Sequence, residues 1–256
     1  DIFGVPLAIE ALLAFYMEST FIGLWVFGWD KLPKGVHLAT IWLTAIGANI
    51  SALWILIANS FMQQPVGYKG VFGADGLLTK VEMKNFWDVM TNPNVRVQFP
   101  HVFASGMVTA AFFVLGISAW HLLRKNKKKD REFYSRSAYV ATVYGLVGVI
   151  LVIMVGHSQA QHMVETQPMK MAAAEGLFES QDPAPLSLIT IGDLDQRKEV
   201  FSIRIPRLLS LLAYNRLDGE VQGINDLQAQ YQAEFADRYG PDADYHPPVA
   251  VIFWSF

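Results

Sequence analysis

Two carboxylates, Glu10 and Glu18, lie inside the apolar run PLAIEALLAFYMESTFIGLWVFGW. An ionised carboxylate in hydrocarbon is costly unless it is protonated, paired or coordinating, so such residues are functional candidates by default. Eight residues of ideal α-helix turn about 80° beyond two full turns and rise about 12 Å. The two acids are therefore expected on adjacent sides of one helix, stacked in depth. That suits a proton relay or a metal site; the alternative is that Glu10 snorkels at the outer end while Glu18 makes a structural hydrogen bond. His101 opens a second apolar run, FPHVFASGMVTAAFFVLGISAW, and is followed by Ala104, Ser105 and Gly106. Small residues let a helix or a flat macrocycle approach the backbone. A histidine beside such a notch suits a haem ligand; it reads equally as an interfacial histidine with its ring in water.

A third group is MVETQPMKMAAAE, where Glu165, Lys170 and Glu175 follow an apolar segment. Helical charge pairs form at spacings of three or four residues. Here both spacings are five, so neither pair zips along one helix. The group is open to an outside partner, such as a quinone headgroup that needs a donor, an acceptor and a base, or it is an ordinary solvated helix start. Asn49, Ser51 and Asn59 sit in the apolar background of TAIGANISALWILIANSFMQQP. They are expected to hydrogen-bond across helices, although a proton path would also use them. His37 and His121 read as interfacial. With no cysteine in the chain, disulfides, thiolate metal sites and iron-sulfur ligation are excluded, leaving His, Met and carboxylates as ligands.

The elements that must position these residues are membrane helices. Of the 256 residues, 52% are hydrophobic and only 17% charged, which points away from an ordinary soluble domain. A net charge of −3 suggests neither a nucleic-acid binder nor a strongly acidic partner. Spanning the hydrocarbon takes about 20 mainly apolar residues, and four segments qualify, roughly 6 to 28, 36 to 60, 99 to 123 and 137 to 156. The expected fold is an all-α integral membrane protein, a transmembrane helix bundle with a long extracytoplasmic loop. Residues 1 to 156 hold four spans, 157 to 248 the polar excursion, and 249 to 256, in PPVAVIFWSF, the start of a further span. Between the second and third spans, TKVEMKNFWDVM is expected as a short interfacial helix. Lys and Arg are retained in the cytoplasm, so the link RKNKKKDREFYSR is expected inside and the 157 to 248 excursion outside. The opening DIFGVPLAIE has neither Met nor a basic region, so no signal peptide is expected and the chain reads as a fragment.

AIEALLAFYMESTFIGLWVFGWDKLPKG, ANISALWILIANSFMQQPVG, FPHVFASGMVTAAFFVLGISAW and GHSQAQHMVETQPMKMAAAE together closely resemble subunit I of the cytochrome bd quinol oxidases, in the family's order and over almost the whole chain. The resemblance implies a terminal respiratory oxidase of the bacterial or archaeal inner membrane. Such an enzyme oxidises quinol at the outer face and reduces dioxygen to water without copper-based proton pumping. It implies His101 as an axial ligand of the low-spin haem b. A high-spin pair, one haem b with a haem d or a replacement haem b, is implied near Glu10 and Glu18; Glu10 serves as an iron ligand in some members, and both acids serve proton delivery. The family's outer excursion is its Q-loop, and its quinol-oxidising residues match Lys170 and Glu175. A second membrane subunit, a small accessory subunit in some members, and lipid and quinol are the implied partners, with no nucleic acid.

This chain departs from the family in three ways. It carries the middle of the family's sequence, without the N-terminal haem histidine, the methionine opposite His101's counterpart, or the later glutamate ligand. Its Q-loop is of the short type. His157 and His162 in GHSQAQH stand where some members have acidic and aromatic residues. The competing reading is a haem-free helical channel or transporter whose intramembrane acids move protons or cations.

Overall fold

The computed structural model describes the chain except residues 1, 75, 125–127, 248–251 and 255–256, and gives the backbone alone for 128–129 and 252–254. Asn126, in the basic link, thus lies outside the described residues. The chain divides into two compact units, Asp1–Val155 and Gly156–Phe256.

In the first unit the opening span is continuous from Gly4 to Phe27. It comprises α1 (Gly4–Ile9), a π-helical segment (Glu10–Phe15) and α2 (Tyr16–Phe27). A short turn leads to α3 (Lys34–Gln63), which begins after Pro33 and stops ahead of Pro65, as the clash between a proline ring and a preceding helical residue requires. α5 (Pro93–Leu123) starts on a strong signal: the Asn92 side chain accepts from Asn94 N at 2.8 Å, with Pro93 at the first helical position. α6 (Lys128–Thr166) runs on into the second unit. Among the described residues, four helical stretches are therefore long and apolar enough to cross a membrane. Large apolar side chains on them, including Leu12, Phe112, Phe113 and Val140, are exposed, as expected where lipid is the solvent.

Between α3 and α5 the expected interfacial helix is only partly found. TKVEM belongs instead to a hairpin, β1 (Tyr68–Phe72) paired antiparallel with β2 (Leu78–Met83), and only Phe86–Met90 is helical, as α4. Spacings in so short a stretch satisfy a strand as well as a helix, and Gly67, Gly73 and Gly76 break it into hairpin lengths. Val81, Met83, Phe86 and Met90 pack on a core of Ile2, Trp54, Ile57, Phe61, Val89 and Val95.

In the second unit α6 ends at Thr166, and Pro168 starts α7 (Pro168–Glu175), closed by Gly176 at φ 59°. β3 (Leu186–Asp193) then pairs antiparallel with β4 (Lys198–Ile205), and α8 (Leu208–Tyr214) and α9 (Ile224–Tyr239) follow. Within the stretch expected to start a further membrane helix, residues 252–254 form a short strand, β5, on the other edge of β3. This pairing gives residues 252–254 backbone partners in β3. β4 is inverted: Phe201, Ile203 and Ile205 are exposed, while Ser202 and Arg204 are half-buried. The sheet therefore turns a polar face inward.

Candidate functional site

Glu10 begins the π-helical segment, and Ser51 Oγ on α3 donates to its Oε1 at 2.7 Å. One residue beyond the α-helical count is absorbed in a π bulge. Glu18 then follows Glu10 as if seven α-helical residues on, about 20° from two full turns. The two acids accordingly share nearly one side of the span, closer than the adjacent sides that unbroken helical geometry implies. Both are half-buried. Helix approach near Glu18 is close: a Cβ on Gly47 of α3 would lie 3.1 Å from Glu18 N and 3.4 Å from Ala14 O. Of the expected cross-helix polar groups, only Ser51 bridges in this way. Asn49 donates back to Ala45 O at 2.8 Å within α3, and Asn59 accepts from Gln63.

His101 lies on α5 directly after Pro100, and its Nδ1 is buried with no hydrogen-bond partner. Ser105 Oγ returns to the His101 carbonyl at 2.8 Å, Ala104 is buried, and a Cβ on Gly106 would meet open space. A cavity of about 330 Å³ is lined here by Phe99, Val102, Phe103, Gly106 and Met107, with Asn49 as a polar member. A ligand-capable imidazole whose buried Nδ1 has no protein partner suits a haem ligand; the cavity, which His101 does not line, opens on the other face of α5. One turn earlier on α5 is a buried network invisible to motif reading: Ser60 Oγ donates to Gln98 Oε1 at 3.0 Å, and Asn94 Nδ2 to Ser60 Oγ at 3.3 Å. The NPN start of α5 was its only sequence signal. His37 bonds the Trp25 carbonyl at 2.8 Å, and His121 stacks on Tyr134 with ring centroids 4.0 Å apart. Among the described residues no three His, Cys, Asp or Glu side chains form a metal-binding group.

The outer cluster is divided by the break at Gln167. Glu165 ends up on α6, whereas Lys170 and Glu175 sit near the two ends of α7. Lys170 is exposed, and partial desolvation pulls its ammonium below the ordinary lysine range. Glu175, far from being part of a solvated helix start, is 6% exposed. Ser187 N donates to its Oε2 at 2.9 Å, and Ser187 Oγ to its backbone carbonyl at 2.6 Å. Across the ladder from Ser187 stands Arg204, whose Nη2 donates to the Gly176 carbonyl at 3.4 Å and pairs with Glu199 at 2.6 Å. Ser202 Oγ also bonds Glu199. Ser187 and Arg204 escaped sequence reading because a serine and an arginine in alternating strands read as solvent-facing positions. Of the two histidines of GHSQAQH, His157 Nε2 bonds Asn215 Oδ1 at 2.7 Å, and the His162 carbonyl accepts from Thr166.

The family model described as cytochrome bd terminal oxidase subunit I matches residues 1–256. A Bacillus subtilis protein named cytochrome bd ubiquinol oxidase subunit 1 is 48% identical over 257 residues, covering 100% of this chain and 52% of its own length. The Escherichia coli cytochrome bd-II ubiquinol oxidase subunit 1 is 43% identical over 231 residues, 90% of this chain and 44% of its own. Among solved structures, the bd oxidase from Geobacillus thermodenitrificans matches with TM-score 0.70 and 29% identity, over 93% of this chain and 55% of that one. The chain spans about half the length of the curated relatives it matches.

Proposed function

The chain belongs to the cytochrome bd terminal oxidase subunit I family, and we propose that within the full-length protein it forms the quinol-oxidising part of a terminal respiratory oxidase. The observation that carries this reading is α7, which bears a buried, oriented carboxylate at its C-terminus and a partly desolvated ammonium near its start. Oxidising a quinol releases two protons as two electrons leave, so a site needs a donor to hold one oxygen and a base to take a proton from the other. Lys170 is the donor and Glu175 the base. Five residues apart, they stand about 140° apart on an ideal helix, which suits two groups gripping different parts of one headgroup. Four membrane-spanning helices make the chain multi-pass. The basic 124 to 136 link belongs to the cytoplasmic side of a bacterial or archaeal inner membrane and the second unit to the outer side.

His101 would hold a low-spin haem b as axial ligand. Glu10, steadied by Ser51, would stand at a high-spin pair of haem b with haem d or a replacement haem b. When bound, haem supplies the one-electron chemistry that takes quinol electrons to dioxygen and yields water. Glu18 would serve proton delivery on that side of the span. A second membrane subunit completes the enzyme, with a small accessory subunit in some members, in a lipid bilayer that delivers the quinol.

A pyridine haemochrome assay and a reduced-minus-oxidised spectrum on the full-length complex test this reading. Haem is expected, and His101→Ala is expected to remove the low-spin b signal while most high-spin absorbance stays. Absence of haem contradicts the oxidase reading in favour of a channel or transporter, and an unchanged low-spin signal removes His101 from the site.

A further inference from the structure

The sheet beside α7 is built against the usual rule. β4 exposes Phe201, Ile203 and Ile205 and keeps Ser202 and Arg204 on the inner side. β3 contributes two fully buried hydroxyl residues to the same inner face, Ser187 opposite Arg204 and Thr190 opposite Ser202. A register shift between Ser187 and Ile189 brings both to that face although they are three residues apart. Sequences that break a local rule without an evident gain in packing do so at functional sites. Three bonds from this face converge on the C-terminal end of α7. Ser187 holds the Glu175 carboxylate and the Glu175 carbonyl, and Arg204 Nη2 holds the carbonyl of the next residue, Gly176.

Resting on the reading of Glu175 as the base of the quinol site, we propose that Arg204 is a positioning residue that fixes the Glu175 carboxylate against the β3–β4 sheet. Its side chain is 11% exposed and is anchored from behind by Glu199 at 2.6 Å, so the guanidinium holds one place rather than sampling solvent. Gly176 is the left-handed residue that ends α7, and its carbonyl sets the direction in which the chain leaves Glu175. Tying that carbonyl to β4 while β3 takes the carboxylate fixes the acid from two strands at once. The Arg204 Nε is buried without a partner, an arrangement that stability alone would disfavour. Arg204 acts through Glu175 and makes no claim on the quinol itself.

The test uses the full-length complex with its second subunit, a soluble short-chain quinol, and a phenylenediamine donor that bypasses the quinol site. Arg204→Met is expected to lower kcat for quinol at least about tenfold, as expected when a base is displaced by a fraction of an ångström to an ångström. KM should stay within about twofold, because binding contacts common to ground and transition state are retained, and bypass activity should be unchanged. Arg204→Lys, which keeps a cation and a donor, should recover kcat to within about threefold of the parent. If Arg204→Met oxidises quinol like the parent while Glu175→Gln does not, the positioning role is overturned and the reading of Glu175 stands. If Glu175→Gln itself oxidises quinol normally, the reading of the site fails and this inference with it. A parallel loss of bypass activity in Arg204→Met marks general damage and also overturns the positioning role.

Discussion

Lys170 and Glu175 differ by environment more than by distance along the chain. Burial of Glu175 gives it a fixed bond to Ser187 N, whereas Lys170 remains exposed and is only partly desolvated. Desolvation disfavours the charged form, so Lys170 loses its proton at a lower pH than the ordinary 10.5. The sign follows directly. Below its folded pKa the ammonium is present and grips quinol, and above it the grip is lost. KM for quinol should therefore start to rise in the alkaline range before an ordinary lysine would titrate, and Lys170→Met should have a raised KM that no longer varies there. A parent KM that stays flat until the ordinary lysine range contradicts a binding role for this ammonium. In sequence, Glu10, Glu18 and His101 stand out because an apolar background makes an ionisable group conspicuous, and Lys170 and Glu175 because their five-residue spacing does not pair them along one helix. What surrounds them does not. Ser187 and Arg204 are about a dozen and about thirty residues beyond Glu175, and only strand pairing brings them to it.

At the scale of elements, the π segment does what spacing alone could not announce, bringing Glu10 and Glu18 nearly to one side of their span. No sequence signal distinguishes EALLAF from ordinary helix, because the extra residue is absorbed by backbone hydrogen bonding rather than by side-chain type. The break before Pro168 carries a sequence signal that the spacing argument did not use, since proline both disfavours helix at Gln167 and favours the first position of α7. The β1–β2 hairpin was not legible, because apolar positions over five or six residues fit either period. Close approach of α3 to the π-containing span gives a direct check. A Cβ at Gly47 would meet Glu18 N at 3.1 Å and Met17 Cε at 3.3 Å. Gly47→Val should therefore lower the thermal midpoint of the detergent-solubilised complex, with an overpacking cost of about 1–3 kcal/mol. Gly35→Val, where nothing lies within 4 Å, serves as the control. Equal midpoints would show that this helix contact is loose.

For the molecule as a whole, different parts of one reaction are proposed for the two units. The first holds membrane spans with Glu10, Glu18 and the unpartnered His101 Nδ1, and the second holds a short helix and sheet with the buried Glu175 carboxylate. The helical bundle was legible because a bilayer demands long apolar runs; the sheet in the polar excursion was hidden because β4 turns its apolar residues outward and Ser202 and Arg204 inward. Central to the account is that α7 oxidises quinol. Steady-state oxygen consumption by the full-length complex, driven by soluble quinol and separately by a bypass donor, measures this for Lys170→Ala and Glu175→Ala. A lost binding contact raises KM, and a lost base active in the transition state lowers kcat. The account predicts a raised KM for Lys170→Ala, a lowered kcat for Glu175→Ala, and bypass activity equal to the parent in both; quinol kinetics like the parent's in both variants would contradict it.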